Sequence, residues 1–177
     1  MVIFEFDKKE SDGLNDIINN FKLVNAGNFD VCILASDRKP IYYKNGIHVW
    51  IKNADDENGN LMILLSFIIL GHPDWKKGNI KIFDICKEEE AGDVRKRMNE
   101  LVTSGRLPIT SQNIEIIIQK EDVSAKSIIN EYSSDAGLTI IGFREEKLTH
   151  DEGKIFLGYE EIGNVLFVNS HNKKAIE

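Results

Sequence analysis

Four histidines, His48, His72, His150 and His171, are the first residues in this chain that could bind a metal or move a proton. None has a second histidine or a cysteine at the spacing a metal centre needs. His48 falls in an apolar, strand-like run, His72 in a turn, and His150 and His171 in polar segments, so each reads as structural or solvent-exposed. No G-x-S-x-G elbow is present to raise a serine nucleophile. The acidic runs Asp55-Asp56-Glu57 and Glu88-Glu89-Glu90 offer carboxylates to a magnesium ion, but such runs equally serve as helix-start charges and solvated faces. A phosphate cradle needs glycines that bring backbone N–H groups to the ligand. After the strand-like run Leu138–Phe143 the chain has Gly142 and then no glycine until Gly153. Arg144 is a single anion contact there, and Glu145 and Glu146 would repel phosphate. The residues therefore predict no catalytic site, no metal and no cofactor, and the chain is not expected to be an enzyme.

The elements that would position any site are clearer. The stretch from Gly46 to Cys86 organises the chain. A β-like run, Ile47–Ile51, is followed by a polar loop and the apolar block Leu61–Leu70, broken by Ser66. Gly71 and Pro73 stop that block, and a second β-like run, Ile80–Cys86, follows. Strand, buried helix, strand is a crossover unit, and crossovers build parallel sheets covered by helices. Leu61–Leu70 is shorter than the about 20 apolar residues that span a bilayer. It is apolar nearly all round, so it must be covered on more than one side, by this chain or by a second subunit.

Around that unit, Val2–Phe6 reads as a strand. Ser11 or Asp12 then caps a helix with Leu14, Ile17, Ile18 and Phe21 on one stripe, ended by Asn25-Ala26-Gly27. Phe29–Ala35 is a buried strand. Ile41–Tyr43 and Ile47–Ile51 are expected to pair as a hairpin around Lys44-Asn45-Gly46. Glu88–Glu90 open a helix carrying Ala91, Val94, Met98, Leu101 and Val102, with Asp93 in reach of Arg97 and Gly105 at its end. Ile114–Ile118 is a strand. Ser124 caps a helix with Ala125, Ile128, Ile129 and Tyr132 on one face, ended by Gly137, and Leu138–Phe143 is the next strand. Arg144–Lys154 is expected to be a mobile charged loop, Ile155–Ile162 a short helix and Val165–Asn169 the last strand. This order predicts an α/β domain with a doubly wound, mostly parallel sheet.

The chain has 177 residues, enough for a single domain, 1–177, with its own core. Its net charge is −7 and its pI about 5.2, with no basic stripe, so it has no electrostatic footprint for nucleic acid. Lys76–Lys77 and Lys173–Lys174 read as solvated pairs. Cys32 and Cys86 lie in apolar runs and read as small buried hydrophobes in a reducing compartment, with a disulfide between them as the other reading. The N-terminus lacks the pattern of a signal peptide.

The central stretch resembles the C-terminal cytosolic domain of cation–chloride cotransporters, and most of all the prokaryotic members. That family has a strand of the type I-D-V-W-W, an acidic glycine-containing loop, a leucine-rich helix and a W-K/R-x-x-x-I-R/K-V/I-F segment. Here Ile47-His48-Val49-Trp50-Ile51 resembles the strand, with His48 in place of Asp and Ile51 in place of the second Trp. Asn53 to Asn60 resembles the loop and Leu61–Leu70 the helix. Trp75-Lys76-Lys77 with Ile80-Lys81-Ile82-Phe83 resembles the last segment. Phe29–Leu34 resembles the preceding strand, and Ser133 to Gly142 the family's S-x-x-A-D-L segment, with Gly137 replacing Asp. The resemblance implies a non-catalytic regulatory and assembly domain of a longer membrane transporter that moves chloride with sodium or potassium. It implies a homodimer at the cytoplasmic face of the membrane, in contact with the transporter's own membrane domain. The expected fold also resembles that of universal stress proteins, which hold ATP with a glycine motif after the fourth strand. Gly142, Gly158 and Gly163 do not reproduce that spacing, so nucleotide binding stands as the alternative.

Overall fold

A computed structural model describes residues 1–52, 56–103, 109–151 and 153–172. Their centre is the crossover unit expected from the sequence. Strand β3 (Ile47–Lys52) leads into helix α2 (Asp56–Leu70) and returns in β4 (Ile80–Cys86), parallel to β3. Helix α2 ends where Gly71 donates back to the Phe67 carbonyl, and the turn Pro73–Trp75 follows. Before the unit come β1 (Val2–Asp7), α1 (Leu14–Ala26) and β2 (Val31–Ser36). After it come α3 (Ala91–Thr103), β5 (Ile114–Ile118), α4 (Ala125–Tyr132), β6 (Leu138–Gly142), α5 (Glu145–Asp151) and β7 (Val165–Asn169).

The strands form one seven-stranded sheet in the order β1-β2-β7-β6-β3-β4-β5. All neighbours are parallel except β2 and β7. The antiparallel element therefore lies there, not in a hairpin at Ile41–Ile51. Residues Tyr43–Asn45 form a single 3-10 turn, and Gly46 enters β3 at a φ of 77°. A Cβ at Gly46 would lie 2.0 Å from the Asn79 carbonyl oxygen, so only glycine fits that close approach. The Gly46 carbonyl then accepts from Gly137 N–H, which ties β3 to the start of β6.

Period-2 alternation sorts the side chains to two faces. On one face Trp50, Phe83, Ile85, Ile141 and Phe167 pack under α1, α4 and the turn at Lys154–Phe156. On the other, Val49, Ile82, Ile140 and Val168 pack under α2 and α3. The sheet is thus doubly wound, as the order of elements predicts.

Several local expectations are corrected. The start of α1 is a 3-10 turn at Ser11–Gly13, with Gly13 rather than Ser11 or Asp12 at the cap and no side-chain cap bond. Arg144–Lys154 is not a loop: it contains α5, whose Leu148 is buried in the core and anchors an otherwise charged segment. Ile155–Ile162 is not a helix beyond the Lys154–Phe156 turn, because Gly158 takes a φ of 89° and redirects the chain. Helix α4 ends at Tyr132 with Ser133 as its cap, ahead of Gly137. Cys32 and Cys86 are free thiols, both buried, with three strands between theirs. The expected cap at Gly105 and the pair Lys173–Lys174 lie outside the described residues.

Candidate functional site

In an open α/β sheet, ligands bind beyond the carboxyl ends of the strands where the crossovers change face. That switch point here is between β3 and β6. The chain leaves β3 through α2 on one face and reaches β6 through α4 on the other.

On the α2 side the crevice is filled. Asn58 is buried and donates from Nδ2 to the Phe143 carbonyl at 3.0 Å, while its Oδ1 accepts from Ser170 N–H at 2.7 Å. Asn169 Nδ2 donates to the same Phe143 carbonyl at 2.9 Å. A Cβ at Gly142 would stand 3.0 Å from the Cβ of Asn58. Gly142 thus makes room for an asparagine of its own chain, a structural reason for glycine without a phosphate.

On the α4 side a cleft of about 480 Å³ opens. Its walls are Trp50, Ile141, Phe143 and Tyr159, and Lys126, Arg144 and Lys147 stand around it. Arg144, the single anion contact read from this segment, lines that cavity. The glycines beyond it do not form a cradle. Gly158 N–H donates to the Glu160 carboxylate at 3.2 Å, which puts negative charge where a phosphate would need a donor. The Gly163 carbonyl accepts from Lys8 Nζ at 2.8 Å.

Below the cleft lies a buried polar knot. Trp50 Nε1 donates to Ser133 Oγ at 2.9 Å, and the His48 Nδ1 atom lies 3.0 Å from the same oxygen. With Trp50 as donor, the serine hydroxyl is free to donate to His48 Nδ1, which makes the imidazole neutral with its proton on Nε2. Burial, and Lys81 in addition, pull the His48 pKa down to about 4. Trp50 also stacks on Phe83 with ring centroids 4.4 Å apart, and Tyr132 meets both rings edge-on. His48 therefore holds β3 to the end of α4 and has no access to a substrate.

His72 and His171 stay apart from this knot. His72 is exposed and accepts from Asp74 N–H at 3.3 Å as a turn cap. The His171 backbone N–H donates to Asp30 at 3.0 Å. The side chain of His150 lies outside the described residues, as do Asp55 and the side chains of Asp56 and Glu57. Glu88–Glu90 form the 3-10 turn ahead of α3, where Glu90 accepts from Lys87 N–H at 3.1 Å. Among the described residues no three His, Cys, Asp or Glu side chains are grouped to hold a metal, and no helix is long and apolar enough to cross a membrane.

Two features escape a reading of the sequence. Asp84, in the apolar run of β4, is 0% exposed, and neither carboxylate oxygen has a hydrogen-bond partner. Arg97 lies 3.9 Å away, so this arginine turns to β4, not along its helix to Asp93. Burial pushes the Asp84 pKa up to about 6, against the pull of Arg97. The second feature is the outer face of α2. Leu64 is 39% and Ile68 64% exposed, one turn apart, although Leu61, Met62 and Leu65 beside them are buried.

No family model and no curated protein matches the chain. Solved structures do share its fold. The cytoplasmic domain of a prokaryotic cation chloride cotransporter superposes with a TM-score of 0.63 at 16% identity, covering 97% of this chain and 65% of that one. A functionally unknown protein from Pseudomonas aeruginosa PAO1 gives 0.58 at 17% identity, covering 93% and 62%. A protein described as a universal stress protein from Pseudomonas aeruginosa UCBPP-PA14 gives 0.56 at 17%, with the same coverage. The chain thus spans less than two thirds of the length of each. At these identities the likeness establishes the fold, which is of the universal-stress-protein type, and nothing finer.

Proposed function

We propose that this chain is a non-catalytic cytosolic domain that regulates and assembles a cation–chloride cotransporter, acting as a homodimer at the cytoplasmic face of the membrane. The observation that carries the reading is the open apolar face of α2. The sequence makes this helix apolar nearly all round, the sheet covers one side, and Leu64 and Ile68 remain in solvent. A second copy is the cover that a symmetric assembly supplies. The motifs of the Gly46–Cys86 stretch and the fold shared with a cotransporter's cytoplasmic domain support the same reading. Physically, a packed domain tethered to a transporter biases its conformations only by binding them differentially. Sedimentation equilibrium of the domain over a rising concentration series tests assembly. A reversible dimer is expected, and a strict monomer at the highest concentration contradicts it.

The second reading, a nucleotide-binding protein of the universal stress type, is favoured by the fold and by a cleft at the switch point. Against it stand the Glu160 carboxylate on Gly158 N–H and the Asn58 side chain against Gly142. Calorimetric titration with ATP and with cyclic AMP separates the two, since micromolar affinity for either would reverse the ranking.

A further inference from the structure

The switch-point cleft has a chemistry of its own, and it goes beyond the assembly role. Its volume, about 480 Å³, is that of a small-molecule site. Its body is apolar: Trp50, Ile141, Phe143 and Tyr159 line it together with aliphatic residues. The Trp50 indole N–H is already committed to Ser133. Among the described residues, the charged ones that line it are all cationic. Lys126 is held by the carbonyls of Lys154 and Leu157, at 2.6 and 2.7 Å, and its ammonium lies 5.5 Å from the centre of the Tyr159 ring. Arg144 and Lys147 are exposed at the mouth. Among the described residues no carboxylate lines the cleft, although the chain as a whole carries a net charge of −7. A cavity with an apolar body and, among the described residues, only cationic side chains for its charged lining selects a ligand with the complementary division.

We propose that this cleft binds an amphipathic anion, an apolar chain ending in an acid group, with the chain against Trp50 and Phe143 and the acid at Arg144 and Lys147. A nucleotide fits less well, because Gly158 N–H is taken by the Glu160 carboxylate and offers no donor to a polyphosphate. The site is distinct from the outer face of α2, so its occupancy can be tested whether or not the chain dimerises.

The chain has two tryptophans. Trp75 lies at the other end of the sheet, packed on Tyr43, so W75F leaves Trp50 as the reporter inside the cleft. The W75F protein is titrated with decanoate below its micelle concentration, with decanol and with ATP, following Trp50 emission and heat. The expected result is saturable binding of decanoate, with decanol about tenfold weaker, as one charge-assisted hydrogen bond implies. K147E should weaken decanoate several-fold and leave decanol unchanged. A125F, which places a ring in the cleft, should abolish both, with the circular dichroism spectrum checked for each variant. The decanoate–decanol comparison needs no substitution in the cleft, so the proposal stays testable if either variant fails to fold. No saturable binding, equal binding of decanol, or tighter binding of ATP overturns the proposal.

Discussion

Trp50 and Ser133 lie 83 residues apart in sequence and are joined by a 2.9 Å hydrogen bond inside the core. The serine caps the end of α4 and the indole belongs to β3, so one oxygen fastens a helix end to a central strand while also meeting His48. Replacing it with S133A leaves a buried indole N–H and a buried imidazole nitrogen without partners. Unsatisfied buried groups cost ~1–3 kcal/mol each, so S133A should lower the melting temperature by several degrees at least. A melting curve within one degree of the parent would show the knot to be dispensable.

His48 and Asp84 predict opposite pH slopes that overlap. The folded His48 has a pKa of about 4 against 6.5 in a free chain, so the unfolded state takes its proton first. Its contribution is fully present above 6.5 and is lost as pH falls towards 4. The folded Asp84 has a pKa of about 6 against 3.8, so the folded state keeps its proton longer. Its contribution is fully present below 3.8 and is lost as pH rises to 6. The parent protein should therefore show a shallow dependence between pH 4 and 6. D84N should unmask a clear rise with pH over that window and be the more stable protein at pH 7. Denaturant unfolding at pH 4, 5, 6 and 7 reads this out, and parallel profiles for the two proteins would refute it.

Gly46 is a third test. Its φ of 77° and the 2.0 Å approach of the Asn79 carbonyl leave no place for a side chain at the foot of β3. G46A must shift backbone and should destabilise by ~2–4 kcal/mol. A loss under about 0.5 kcal/mol, measured by urea titration, would mean that the loop relaxes freely.

On α2, Ile68 is 64% and Leu64 39% exposed, so both contribute less to the monomer's core than the buried Leu61 and Met62 beside them. I68E should leave the monomer's unfolding free energy within about 0.5 kcal/mol of the parent, as surface changes do, and L64E should cost about 1 kcal/mol because more of Leu64 is covered. Together they should abolish dimerisation in sedimentation. A double variant that still dimerises would move the interface elsewhere.

Much of this architecture was legible because apolar runs and their punctuation are local signals. Ile47–Ile51, Leu61–Leu70 and Ile80–Cys86 are bounded by polar or glycine segments, and each became the expected element. The hairpin failed because the Asn-Gly turn signal at Asn45-Gly46 also suits a 3-10 turn running into a strand, and only the packing of Gly46 on Asn79 decides between them. The antiparallel β2–β7 pairing joins segments more than 100 residues apart, and strand direction in a sheet is set by tertiary packing. Helix α5 was hidden because seven mostly charged residues carry one buried anchor, Leu148. At the candidate site, Arg144 and the missing glycine motif were readable. The apolar walls of the cleft were not, since they come from β3, β4, α4, β6, β7 and the turn at Lys154–Phe156. Asp84 could have been suspected as the single acid in the run Ile80–Cys86.

The most direct test of the assembly account is amide hydrogen exchange measured at a low and at a high protein concentration. Slowing on concentration should be confined to the α2 segment around Leu64 to Leu70 and to whatever surface packs on it. Exchange in α2 that is identical at both concentrations, or protection that appears only on another face, would contradict it.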